Sequence, residues 1–100
     1  MENNKALRLI GLATRAGKVI TGIDLCQKAV KANKAELGIV TNETAQSTVD
    51  IFKNTNVPLI YVESIEKLSR FVGKENRSVA VITDKGFAEV ILKESEEIIC

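Results

Sequence analysis

Apolar residues return along this chain at two periods, and the switches between them mark out its elements. Ala6, Leu9, Ile10 and Ala13 recur at i, i+3, i+4 and i+7, which predicts an amphipathic helix over residues 4–15, ended by Gly17. The β-branched run "KVIT" (18–21) predicts a short strand. Thr21 stands three residues before Asp24, the spacing of a capping box, so a second helix is expected from Ile23 to about Ala32, closed by Asn33 in a left-handed conformation. "ELGIVT" (36–41) reads as a strand, and "NETA" (42–45) supplies turn and cap residues before a third helix running to about Lys53.

The alternation continues to the end. Pro58 opens "PLIYV", where a proline at a strand's first residue breaks no ladder, and Tyr61 is expected to fill that strand. Ser64 is the expected cap of a helix that turns Ile65, Leu68, Phe71 and Val72 inward and stops at Gly73. "SVAVIT" (78–83) is apolar almost throughout, as a strand buried on both faces should be, and Asp84 is placed to cap the last helix. Helices and strands that alternate with short connections predict an α/β protein, a three-layer α/β/α sandwich around a central sheet of about four strands. At 100 residues, with no low-complexity linker and no internal repeat, a single domain over 1–100 is expected.

Charge adds a direction to that picture. The net charge is only +1, yet residues 1–34 carry seven basic residues against Glu2 and Asp24, whereas residues 78–100 carry five acidic residues against Lys85 and Lys93. An anionic partner is drawn to the local field and not to the total, so the basic end is the place to look for one; solvated helix faces explain the same counts equally well. Ligands of α/β sheets gather at helix N-termini and neighbouring loops, which makes "GKVITGIDLCQK" (17–28) and "VGKENRS" (72–78) candidates for one shared site. Gly22 would give a phosphate or base edge room beside unpaired helix N–H groups, with Lys18 and Lys28 flanking. Asp24 could accept from a base amino group or act only as a cap, and Leu25 is expected to pack inward or make a shallow apolar contact. Arg15, Arg70, Lys74 and Arg77 could hold phosphates around the site or be ordinary solvated residues.

Catalysis finds little support. There is no histidine, no G-x-S-x-G elbow and no phosphate-binding lysine loop of the G-x-x-x-x-G-K type, so no enzyme activity is expected. The two cysteines, Cys26 and Cys100, lack metal-ligand spacing, which argues against a zinc site or a disulfide framework; neither metal nor cofactor is expected. Cys26 reads as a small buried hydrophobe and Phe71 as core. No stretch is apolar for long enough to predict a membrane span and the N-terminus lacks a signal-peptide layout, so the expected location is the cytoplasm.

The stretches "AGKVITGIDLCQKAVKANKAELGIVTNETA" and "VPLIYVESIEKLSRFVGKENRSVAVITDKGFA" resemble the ribosomal L7Ae-like family of kink-turn RNA-binding proteins, and most of all its small bacterial YlxQ-type branch. The family's G-K-x-x-x-G-x-N-E-x-x-K run falls on Gly17, Lys18, Gly22, Asp24, Leu25 and Lys28, with Asp24 in place of the asparagine and Leu25 in place of the glutamate that touch the guanines of sheared G·A pairs. Its L-G-x-x-x-G segment appears as Leu68, Ser69 and Gly73, and its mostly apolar loop is here the polar "KENRS". The resemblance implies an L7Ae-like fold and a non-catalytic protein that binds structured, kink-turn-like RNA; a monomer is expected. Ribosomal RNA and ribosomal proteins are the partners it suggests. A protein-interaction module of the same fold, presenting acidic helices such as the "SEE" at 95–97 to a basic partner, is the alternative.

Overall fold

A computed structural model describes residues 4–99, with side chains from Lys5 to Ser95. The elements follow in the order α1 (Asn4–Arg15), β1 (Val19–Thr21), α2 (Ile23–Lys31), β2 (Leu37–Thr41), α3 (Gln46–Val49) with a 3-10 turn (Asp50–Phe52), β3 (Leu59–Val62), α4 (Ile65–Val72), β4 (Val79–Ile82) and α5 (Lys85–Ile99). The four strands form one sheet in the order β1-β4-β2-β3. β4 runs antiparallel to both β1 and β2, and β2 and β3 are parallel. This is the mixed α/β architecture that the alternating periods predict, and "SVAVIT" supplies a central strand whose four residues are all buried.

Alternation along the strands builds two cores. Leu37 and Ile39 of β2, with Ala80 and Ile82 of β4, face a cluster completed by Ala6, Ile10 and Ala13 of α1, Leu68 and Val72 of α4, and Ile91 of α5. Phe71 packs against that cluster, as expected. On the opposite face Val40, Val79 and Val81 meet Cys26 and Ala29 of α2 and Phe52 of the 3-10 turn. The helices therefore lie in two layers with the sheet between them, α1, α4 and α5 on one side. Each fully buried Leu or Ile contributes roughly 1.5–3 kcal/mol, so these two clusters hold most of the driving force for folding. Gly38 lets the second core close. A Cβ there would lie 2.6 Å from a ring carbon of Phe52 and 2.9 Å from Leu59 Cδ1, so the aromatic ring rests directly on the β2 backbone.

Several predicted boundaries are met by the expected chemistry. Ser64 Oγ accepts from the Lys67 N–H at 3.1 Å, and Gly73 ends α4 in the left-handed region at φ 71°. Asp84 Oδ2 accepts from the Phe87 N–H at 2.9 Å, and Asn33 adopts φ 58° after α2. Three expectations need correction. The third helix is only Gln46–Val49 before it tightens into the 3-10 turn, and Ala45 stands at its cap. The other "NETA" residues supply the expected turn but no side-chain cap: Thr44 Oγ1 accepts from the Thr41 N–H at 2.8 Å and donates to the Ser78 carbonyl at 2.8 Å. Tyr61 belongs to β3 but is 56% exposed, because β3 is an edge strand and its neighbours Ile60 and Val62 take the buried positions. Among the described residues no helix is long and apolar enough to cross a membrane. Cys100 and the side chains of Glu96 and Glu97 lie outside the described residues.

Candidate functional site

Strand direction decides which loops share an end of the sheet. Thr21 pairs with Ala80 and Val40 with Val79, so the start of α2, the loop after β2 and the loop leading into β4 converge at one edge. The Gly22 N–H donates to the Val79 carbonyl at 3.3 Å and ties the turn before α2 to the first residue of β4.

Gly22 is the cap of α2, with φ 95° and ψ 146°. This conformation lies in a region that only glycine enters without strain. A Cβ at Gly22 would meet nothing within 4 Å, so the need for glycine comes from the backbone angle and not from crowding. The predicted capping box is absent. Among the described residues no side chain bonds to the first turn of α2: Thr21 remains in β1, one residue too early, Gly22 at the cap has no side chain, and Asp24 is exposed. The first backbone N–H groups of the helix therefore keep their donor capacity toward solvent, at the positive end of the helix dipole.

Thr21 has another task. Its Oγ1 accepts from Arg77 Nε at 3.2 Å, while Arg77 Nη1 donates to the Glu75 carbonyl at 3.2 Å. The Arg77 N–H donates to Ser69 Oγ at 2.9 Å. Ser69 thus pins the last turns of α4 to the loop, and Arg77 pins the loop to β1. Residues 73–78 are held near the start of α2 by Ser69 of α4 and Thr21 of β1, through the backbone and the side chain of Arg77. A guanidinium carries five N–H donors, so two bonds leave Arg77 able to engage an anion as well.

The first two turns of α2 present Ile23, 48% exposed, and Leu25, 58% exposed, next to Asp24 and Lys28. The inward packing expected of Leu25 does not occur. Cys26 and Ala29, at i and i+3, form the face that meets the sheet, and Leu25 is turned away from it by one residue's rotation. Cys26 is fully buried, with its Sγ–H 3.4 Å from the Ile20 carbonyl, and burial pushes its thiol up to about 12.

Of the residues singled out in the sequence, Gly22, Asp24, Leu25, Lys28 and Arg77 are brought to this edge, while Lys74 lies with Arg70 at the end of α4. Arg70 stands exposed on the last turn of α4 and shares a shallow depression with Ser69, Gly73, Lys74, Glu66 and Glu75, whose two carboxylates offset its charge. Lys18 and Arg15 are elsewhere. The Lys18 carbonyl accepts from the Thr83 N–H at 2.9 Å, at the end of β1 where α5 begins. Four residues of extended chain separate Lys18 from Gly22 by roughly 13 Å, and Arg15 ends α1 at that same far end. Sequence reasoning missed the Arg77–Thr21 and Thr41–Thr44–Ser78 contacts, since nothing local marks a bond between residues 56 or 34 positions apart.

Comparison with known proteins places this geometry in context. Residues 4–92 match the ribosomal protein L7Ae/L30e/S12e/Gadd45 family. The chain belongs to that family. The RNA-binding protein YlxQ of Bacillus subtilis (strain 168) is 40% identical over 88 residues, covering 84% of this chain and 88% of the relative. The RNA-binding protein YlxQ of Enterococcus faecium is 37% identical over 89 residues, covering 85% of each. Among solved structures, a protein of unknown function from Bacillus halodurans superposes with a TM-score of 0.85 at 29% identity, covering 92% of this chain and 97% of that one. The Giardia lamblia 15.5kD RNA binding protein shares the fold with a TM-score of 0.73 at 21% identity, covering 92% and 85%.

Proposed function

We propose that this family member is a non-catalytic RNA-binding domain that receives a kinked, internally looped RNA helix of the kink-turn type at the sheet edge formed by the start of α2 and residues 73–78. The observation that carries the reading is the Gly22 cap, a turn in a conformation open to glycine alone, which leaves the first N–H groups of α2 without a described side-chain partner beside Lys28 and the anchored Arg77. Phosphate oxygens suit those donors. Lys28 donates to a phosphate or to guanine O6 and N7, Asp24 accepts from a base amino group, and the exposed Ile23 and Leu25 offer a base an apolar surface where the family has a polar reader. Lys74 and Arg70 extend the phosphate contacts along the loop, and Arg15 and Lys18 reach only an RNA long enough to pass around β1. The same reading makes the protein a cytoplasmic monomer that works with the ribosome or translation, with ribosomal RNA as a target and ribosomal proteins as neighbours. Kinship with two proteins named RNA-binding supports it.

Filter binding to a kinked RNA and to a plain duplex of equal length tests the proposal. Lys28→Glu is expected to weaken binding to the kinked RNA at least about tenfold, while Lys93→Glu on α5 leaves it unchanged. Three or four phosphate contacts give a log–log salt slope of roughly −2 to −4. Replacing the sheared G·A pairs costs about 1–3 kcal/mol if bases are read. Equal affinity for kinked RNA and duplex would refute recognition of the kink.

A further inference from the structure

The other end of α2 borders a cleft that the RNA reading leaves unused. Asn33 and Glu36, on the connection from α2 to β2, face Asn54 and Asn56, on the connection from the 3-10 turn to β3, with Val30 and Pro58 among the apolar residues between them. None of these four polar side chains is engaged by another described residue. Asn33 and Asn54 both hold left-handed backbone, at φ 58° and 62°, so each wall of the cleft carries an asparagine at its turn.

Three carboxamides and a carboxylate, with the aliphatic Val30, Ala35, Val57 and Pro58 in the same lining, match one kind of ligand well. A carboxamide offers a donor and an acceptor side by side, the pairing that fits adenine N7 and N6, and a carboxylate accepts from the amino group of cytosine or adenine. The aliphatic side chains in the lining give a base apolar contact beside those polar groups. Lys34 and Lys53, both exposed, stand next to Asn33 and Asn54 in sequence and supply positive charge for a phosphate. The approach is basic as well. From Leu25 to Ala35 the chain carries Lys28, Lys31 and Lys34 and no acidic residue. Lys28 and Lys31, three apart, are neighbours on the exposed side of α2. A helix of nine residues spans roughly 14 Å, a distance that a few nucleotides cross.

We infer that the cleft between residues 33–36 and 54–58 is a second nucleic-acid site, which takes an unpaired nucleotide of the RNA delivered to it along the lysines of α2. The delivery rests on the proposed RNA-binding function, whereas the cleft's chemistry stands on its own residues. Two measurements keep these apart. The first titrates the 15N-labelled protein with the single-stranded tetranucleotide rA4 and follows the side-chain amide resonances of Asn33, Asn54 and Asn56. Shifts at all three amides are expected in the native protein, and the Asn56 shift, which the Asn33→Gly/Asn54→Gly double variant can still report, is expected to vanish there; an unmoved set of resonances, or an Asn56 shift unchanged in the double variant, would overturn the cleft whatever the fate of the kinked RNA. Glycine keeps the left-handed turns, so this variant removes the amides without straining the backbone.

The second measurement compares a kinked RNA with the same RNA bearing a single-stranded extension of about four nucleotides. The extension is expected to raise affinity about tenfold, the worth of one good base contact. That gain disappears in the double variant while affinity for the unextended RNA stays the same. A gain that survives in the double variant, or no gain at all, would overturn the delivery. Failure of the unextended RNA to bind, with rA4 still shifting the amides, would sink the kinked-RNA reading and leave the cleft standing.

Discussion

Replacing Gly22 by alanine tests whether the turn before α2 is held in a conformation that other residues resist. At φ 95° and ψ 146° an L-residue lies outside the β, right-handed and left-handed regions, and such placements cost about 1–3 kcal/mol. A steric contribution is absent, since nothing lies within 4 Å of the new Cβ. The alanine also restricts the unfolded chain, which returns about 0.4–1 kcal/mol, so a net loss of about 1–2 kcal/mol is expected. For a chain of 100 residues this lowers Tm by several degrees, at about 4–8 °C per kcal/mol. Gly73→Ala is the internal standard. Gly73 sits at φ 71° and ψ 26°, within the left-handed region that L-residues do visit, and its Cβ would also meet nothing. Urea denaturation of both variants should therefore rank Gly22→Ala as the more destabilising, and RNA affinity should fall more for it, because relief of the strain moves the N–H groups at the start of α2. A Gly22→Ala protein as stable as the native one, or more stable than Gly73→Ala, would refute the argument from the backbone.

Two further outcomes follow from the second core. Gly38→Ala drives a methyl into the Phe52 ring and should cost about 1–3 kcal/mol by chemical denaturation, and the added Phe52→Leu change should make the pair markedly non-additive; simple additivity would show that the ring does not rest on β2. Burial holds the Cys26 thiol proton up to about pH 12 against an ordinary 9.0, so the folded state keeps a proton that the unfolded chain releases above pH 9. The stabilisation is complete below pH 9 and declines by about 1.4 kcal/mol per unit as pH rises toward 12. Urea titrations at pH 8 to 10.5 should show the native protein losing stability more steeply than Cys26→Ala, and parallel slopes would contradict the burial.

What could be read from the sequence is what local forces decide. The period of Ala6, Ile10 and Ala13, the cap at Ser64, the stop at Gly73 and the run from Val79 to Ile82 are each set within a few residues, and each is found in the fold. Features decided by distant partners could not be read so. Thr21 has a cap residue's chemistry and a cap residue's spacing to Asp24, but β1 keeps it as its last residue, Gly22 takes the cap position, and Arg77 donates to its hydroxyl. Gly38 looks like any strand glycine until Phe52 is placed over it. Leu25 is as apolar as a core residue. Its exposure follows from the phase of a helix that already spends its inward face on Cys26 and Ala29.

The same distinction explains why the candidate site was only partly visible. Gly22, Asp24, Leu25 and Lys28 fall on one helix start, where spacing in sequence translates directly into spacing in space. Lys18 is as near to Gly22 in number as Asp24 is to Lys28, yet extended chain covers about twice the distance per residue that a helix does, and the strand carries Lys18 to the far end of the sheet. Arg77 lies 55 residues from Gly22 and reaches it only because β4 pairs antiparallel with β1, which sets Ala80 against Thr21. A basic residue in such a fold joins the site through strand register and not through proximity in the chain. Arg77, which sequence alone could place no better than Arg70, is for that reason the cation most firmly fixed beside α2, held by Thr21 through its guanidinium and by Ser69 through its backbone.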